Sequence, residues 1–123
     1  HKACQNGDTT VDIWGDGLVR REFVYVDDIA KFILKSAPTL SNLPPCLNLG
    51  AGRDYTVNEL YRIAADVIGF TGDFVHLLDK PVGMSYKLMD ITNTKLHGWS
   101  ADTKIEDGIR HAYLKFKENP RLG

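Results

Sequence analysis

Residues 10–14 (TVDIW) alternate polar and apolar side chains and include β-branched residues, the pattern of a half-buried strand. The GDG at 15–17 turns the chain, and alternation resumes over 21–26 (REFVYV), so a hairpin or bent strand pair is expected there. Asp27 is placed to cap a helix over 28–37, with Ile29, Phe32 and Ile33 on one face and Pro38 just past its end. TLSNLPP (39–45) reads as a loop, and CLNLG (46–50) as a short buried strand running into Gly50-Ala51-Gly52.

The second half carries clearer helix signals. Thr56-x-x-Glu59 is a capping box, followed at helical spacing by Leu60, Ile63, Ala64 and Val67 and stopped by Gly69. DFVHLL (73–78) is a strand candidate, and the Pro- and Gly-punctuated 79–90 reads as an ordered loop. A short helical turn runs from Thr92 to His97 before Gly98. A second box, Thr103-x-x-Glu106, opens a last helix with Ile105, Ile109, Ala112 and Phe116 as its core face and Pro120 as its stop. Four helices and about four short, scattered strands make α/β material without a main sheet.

Composition narrows the class. The chain has 123 residues, 43% hydrophobic and 25% charged, enough for one ordinary domain. A net charge of −1 argues against nucleic-acid binding through bulk electrostatics. No run approaches the roughly 18 apolar residues of a membrane span. Cys4 and Cys46 have no metal-ligand spacing, so neither a zinc site nor a disulfide framework is indicated, and a cytoplasmic setting is the default. The chain opens on His1-Lys2-Ala3-Cys4, which reads as the tail of a helix. The expectation is a single lobe over residues 1–123, part of a longer protein.

Few residues suggest chemistry. Gly50-x-Gly52 lacks the third glycine of a dinucleotide fingerprint and reads as a connection between elements. Tyr113 and Lys117 have Tyr-x-x-x-Lys spacing, but Tyr113 borders the apolar stripe and the lysines look solvated, so the pair is set aside as catalytic. His1, His76, His97 and His111 pair with no nucleophile at motif spacing. Asp27 and Asp28 are explained as a helix cap and a first-turn acid. Arg20 and Arg21 differ: an arginine past a glycine turn presents a planar fork to a phosphate, with the Trp14 indole beside it. A surface pair neutralised by Glu22 and Asp16 fits those residues equally well.

Trp14-Gly15-x-Gly17-x-x-x-Arg21-Glu22-Phe23, continuing to Val26-Asp27-Asp28, resembles the extended short-chain dehydrogenase/reductases that act on nucleotide sugars. Asn48-Leu49-Gly50-Ala51-Gly52, Lys80-Pro81-x-Gly83-x-x-x-Lys87-x-x-Asp90 and Leu96-x-Gly98-Trp99 are similar, in order and spacing, to the branch that epimerises and reduces GDP-4-keto-6-deoxy sugars. The resemblance implies the C-terminal substrate-binding lobe of a Rossmann-type enzyme, without the main Rossmann sheet. It assigns no catalytic, cofactor-binding or metal-binding residue to this chain. By resemblance Arg21 grips the diphosphate, Trp14 contacts the substrate and Lys87 belongs to the substrate pocket. NADP would be bound by an N-terminal domain, the partner would be a GDP-sugar, and the full-length enzyme would be a homodimer. Val19, Val82 and Tyr86 stand where the family usually has proline, an acid and arginine. Two other readings remain at this point: an NAD-dependent sugar-nucleotide C4-epimerase or dehydratase, and a non-catalytic subunit of the same fold.

Overall fold

A computed structural model describes residues 1–118. The first helix, α1, is Lys2–Asn6, ended by Gly7 in the left-handed conformation. Strand β1 is Thr10–Trp14 and β2 is Arg20–Glu22. Helix α2 is Val26–Ser36, followed by a 3₁₀ stretch at Ala37–Asn42. Then come β3 at Asp54–Thr56, α3 at Val57–Ile68, β4 at Asp73–Leu77 and β5 at Tyr86–Lys87. Helices α4 (Thr92–Leu96) and α5 (Ile105–Glu118) complete the described chain, and Pro120 lies outside it.

The strands form two small sheets. β1 pairs in parallel with β4, Thr10 opposite Asp73 and Trp14 opposite Leu77. β2 lies between β3, antiparallel, and β5, parallel. The expected hairpin between residues 10–14 and 21–26 therefore does not form: β1 and β2 enter different sheets. Gly15 and Gly17 take left-handed φ values of 73° and 69°, and the turn redirects the chain instead of folding it back. At the end of β2 the Glu22 carboxylate accepts from the N–H of Gly52 (2.7 Å) and of Met89 (2.9 Å).

Two cap assignments change. α2 begins at Val26 with Tyr25 in the cap position, so Asp27 lies in the first turn, where its charge favours the helix N-terminus. Asp28, buried, accepts from both the backbone N–H and the hydroxyl of Thr103, each at 2.9 Å. Helix α5 starts at Ile105, so Thr103 stands one residue too early to cap it and the expected second capping box does not form. The first box forms in full: the Thr56 hydroxyl accepts from Glu59 N–H at 3.1 Å, and the Glu59 carboxylate accepts from Thr56 N–H at 2.7 Å.

The buried apolar centre is Ile13, Phe32, Ile91 and Trp99. Phe32 and Trp99 meet edge to face at 5.5 Å, and the Trp99 indole donates to the Gly50 carbonyl at 2.7 Å. Residues 46–50, expected as a strand, join no sheet. Side chains satisfy their backbone instead: Thr94 donates to the Asn48 carbonyl at 2.6 Å and Trp99 to that of Gly50. The face expected to bury α5 is only half covered. Ala112 is exposed, and an open cavity of about 310 Å³ separates Ile105, Gly108 and Ile109 from Phe23–Val26. No helix among the described residues is long and apolar enough to cross a membrane.

Candidate functional site

A cleft of about 340 Å³ lies where β1, β2 and α3 approach the segment 81–83. Strand alternation explains its floor: Asp12 and Trp14 leave one face of β1 while Ile13 points into the core. Val19 and Arg21 come from β2 and the residue before it, Val57 and Tyr61 from one face of α3, one turn apart. Pro81, Val82 and Gly83 form the remaining wall.

Glycines allow that wall to close in. A Cβ at Gly15 would run into Val82, and one at Gly83 would come within 3.2 Å of the Arg21 guanidinium. Gly17 is packed just as closely on Asn58, which donates to the Asp16 carbonyl at 3.0 Å and meets His76 at 2.7 Å. The turn between Trp14 and Arg21 is thus fixed from α3 and β4 together.

The two arginines have separate environments. Arg20 donates through Nε (3.0 Å) and Nη2 (2.7 Å) to Asp54 Oδ1. This hydrogen bond holds the Asp54 carboxyl below its usual range and raises Arg20 further. Arg21 spends one donor on the Arg20 carbonyl, Nη1 to O at 2.7 Å. Among the described residues it makes no ion pair, so its fork lines the cleft with no carboxylate in direct contact, Asp12 being the one acidic residue of the same lining. Glu22, the neighbour that could neutralise it, is occupied by two backbone amides.

Lys87 is the register partner of Arg21 across β2 and β5, so both cations leave the same face of that sheet. Lys87 itself is exposed and stands beside the cleft rather than in its lining. Tyr86, one of the three departures from the resembled pattern, pairs in register with Arg20 on the opposite face. Val19 and Val82, the other two, line the cleft and make its wall apolar.

Sequence reasoning missed Asp12 and Tyr61, although both follow from it. Asp12 is two residues before Trp14 on one strand face, and Tyr61 is one helical turn after Val57. Chemically the cleft offers a guanidinium for an anion, an indole and a phenol for a ring, and a carboxylate for hydroxyl groups.

The Gly50–Gly52 turn does not fit the phosphates of a dinucleotide. The Gly52 N–H is committed to Glu22, the Gly50 carbonyl to Trp99, and Ile91 closes on Gly52 from the other side. Tyr113 meets His1 Nδ1 at 3.0 Å and carries the Lys117 ammonium over its ring, and neither belongs to the cleft lining. No cluster of metal-ligating side chains occurs among the described residues.

Two short sheets among the described residues, and a cleft between a Trp-Gly-x-Gly turn and a Lys-Pro-x-Gly wall, fit the extended short-chain dehydrogenase/reductase class. Residues 1–50 match the NAD dependent epimerase/dehydratase family. The chain is similar to GDP-L-fucose synthase: the protein of that name from Azorhizobium caulinodans is 47% identical over 92% of this chain. A GDP-L-colitose synthase from Yersinia pseudotuberculosis is 43% identical over 87% of it. Among solved structures, a GDP-mannoheptose C4 reductase from Campylobacter jejuni with NADP bound superposes with a TM-score of 0.76, at 30% identity over 89% of this chain and 35% of that one. The chain spans about a third of the curated relatives it matches, 36% of the first and 35% of the second.

Proposed function

We propose that residues 1–123 are the nucleotide-sugar-binding lobe of a longer NADP-dependent epimerase/reductase that acts on a GDP-4-keto-6-deoxy sugar. The observation that carries this reading is the Arg21 guanidinium, which faces the cleft beside Trp14 without a carboxylate partner among the described residues. An unpaired guanidinium between apolar walls suits a diphosphate, which it can hold through two parallel N–H donors. Lys87 adds a second cation on the same face, and Trp14 offers its ring to the sugar.

In this reading the lobe binds and orients; it does not carry the chemistry. Gripping the diphosphate at Arg21 and Lys87 fixes the sugar ring along the cleft and converts binding energy into placement of the C4 ketone. Asp12 accepts from hydroxyl groups of the sugar or ribose. NADPH, bound outside this lobe, would supply the hydride. Relatives in sequence and in structure named for GDP-sugars support the substrate class, and the full-length enzyme is proposed to be a cytoplasmic homodimer.

The test uses the full-length protein. GDP should bind in preference to UDP, and NADPH should be oxidised in the presence of GDP-4-keto-6-deoxymannose. Residues 1–123 alone should oxidise none. Preference for UDP would favour a sugar-nucleotide C4-epimerase, and NADPH oxidation by residues 1–123 alone would overturn the division of labour.

A further inference from the structure

The segment that supplies Lys87 and the Pro81–Gly83 wall is lightly attached. β5 is two residues long, and the backbone bond from Arg20 N–H to the Ser85 carbonyl, 2.9 Å, precedes it. Beyond it, Glu22 Oε2 accepts from Met89 N–H at 2.9 Å, while Oε1 accepts from Gly52 N–H at 2.7 Å. Asn48 then holds the Asp90 carbonyl at 3.1 Å. One carboxylate therefore ties three segments together: β2, the Gly50–Gly52 turn and the stretch following β5. A Cβ at Gly50 would collide with that carboxylate, so the turn is shaped around it.

Glu22 follows Arg21 directly and points away from it, as neighbours on a strand do. We infer that Glu22 is a positioning residue for nucleotide-sugar binding, a clasp that sets Lys87 and the 81–83 wall at the correct distance from Arg21. This inference rests on the functional reading above, but the clasp itself does not.

Charge and position predict opposite signs. A carboxylate next to an anion site repels the anion, so removing its charge should tighten binding if electrostatics alone mattered. If Glu22 acts as a clasp, Glu22→Gln weakens binding, because the amide keeps one acceptor oxygen and turns a donor toward the second N–H. Losing one charge-assisted bond predicts a Kd for GDP about tenfold higher in the full-length protein. The Kd for NADPH should not change. Glu22→Asp keeps the charge but is one methylene too short to reach both amides, and should fall between the two.

The experiment pairs GDP titration with amide hydrogen exchange over residues 85–90. The expected result is faster exchange there in Glu22→Gln, weaker GDP binding, and less than additive loss when Lys87→Ala is combined with it. Unchanged exchange at 85–90, or GDP binding as tight as or tighter than wild type while Arg21→Ala weakens it, overturns the clasp. Accelerated exchange in Glu22→Gln with no effect of Arg21→Ala or Lys87→Ala on GDP keeps the clasp and refutes the nucleotide-sugar reading instead.

Discussion

Replacing Arg21 by alanine in the full-length protein should weaken GDP-sugar binding without unfolding the lobe. Of the five N–H donors of this guanidinium, the structure commits Nη1 to the Arg20 carbonyl and leaves the rest of the fork toward the cleft. One hydrogen bond to a charged group contributes about 1.5–3 kcal/mol, so Arg21→Ala should raise Kd by roughly 10- to 150-fold. Arg21→Lys keeps the charge, loses the planar fork and should recover part of the loss. Arg20→Ala provides the contrast. Its partner Asp54 is nearly buried and already has Oδ2 without a partner, so that change should lower the melting temperature and leave Kd close to wild type. Isothermal titration with GDP, together with thermal melts followed by circular dichroism, separates the two effects. A silent Arg21→Ala beside a damaging Arg20→Ala in the titration would refute the assignment of faces along β2.

Three further outcomes follow from particular contacts. Gly15→Ala should cost about 1–2 kcal/mol for the left-handed backbone and, by pushing Val82 outward, should also weaken GDP binding in the full-length protein. Trp99→Phe keeps a ring against Phe32 but strands the Gly50 carbonyl; a loss of about 1–3 kcal/mol in urea denaturation is expected, with none of that size refuting the bond. Acid should destabilise the protein. Arg20 holds Asp54 below 3.8 and the Thr56 N–H holds Glu59 below 4.5, so their contribution is complete above about pH 4.5 and disappears as pH falls through the lowered native values. Thermal midpoints that rise on acidification below pH 4 would contradict both.

Local signals were legible where one residue type has one use. The Thr56/Glu59 box, the Gly69 stop and the alternation of β1 depend only on neighbours, and each appears where the spacing put it. Long-range competition decided the rest. Thr103 had the right spacing for a cap, but Asp28, distant in sequence, holds both its N–H and its hydroxyl hydrogen, and the helix starts one residue later than a Thr103 cap would set. Residues 46–50 have a strand's composition, yet Thr94 and Trp99 claim their carbonyls before any ladder can. β5 was invisible because two residues carry no periodicity. For the cleft, Trp14 and Arg21 were found together, whereas Asp12 and Tyr61 were overlooked because neither carries a motif. Lys87 turned out to flank the cleft, beside Arg21 in register.

The two tryptophans of the chain occupy opposite extremes of environment, Trp14 61% exposed at the cleft and Trp99 3% exposed in the core. Trp14 is therefore a solvated fluorophore whose emission a stacked or hydrogen-bonded ligand would alter directly. Trp99, hydrogen-bonded to Gly50 and packed on Phe32, emits from an apolar cage and shifts to the red only when that cage opens. The lobe consequently contains two optical channels, one for occupancy and one for integrity. Trp14→Phe and Trp99→Phe variants would isolate each channel, letting binding and unfolding be followed in the same cuvette without an added dye.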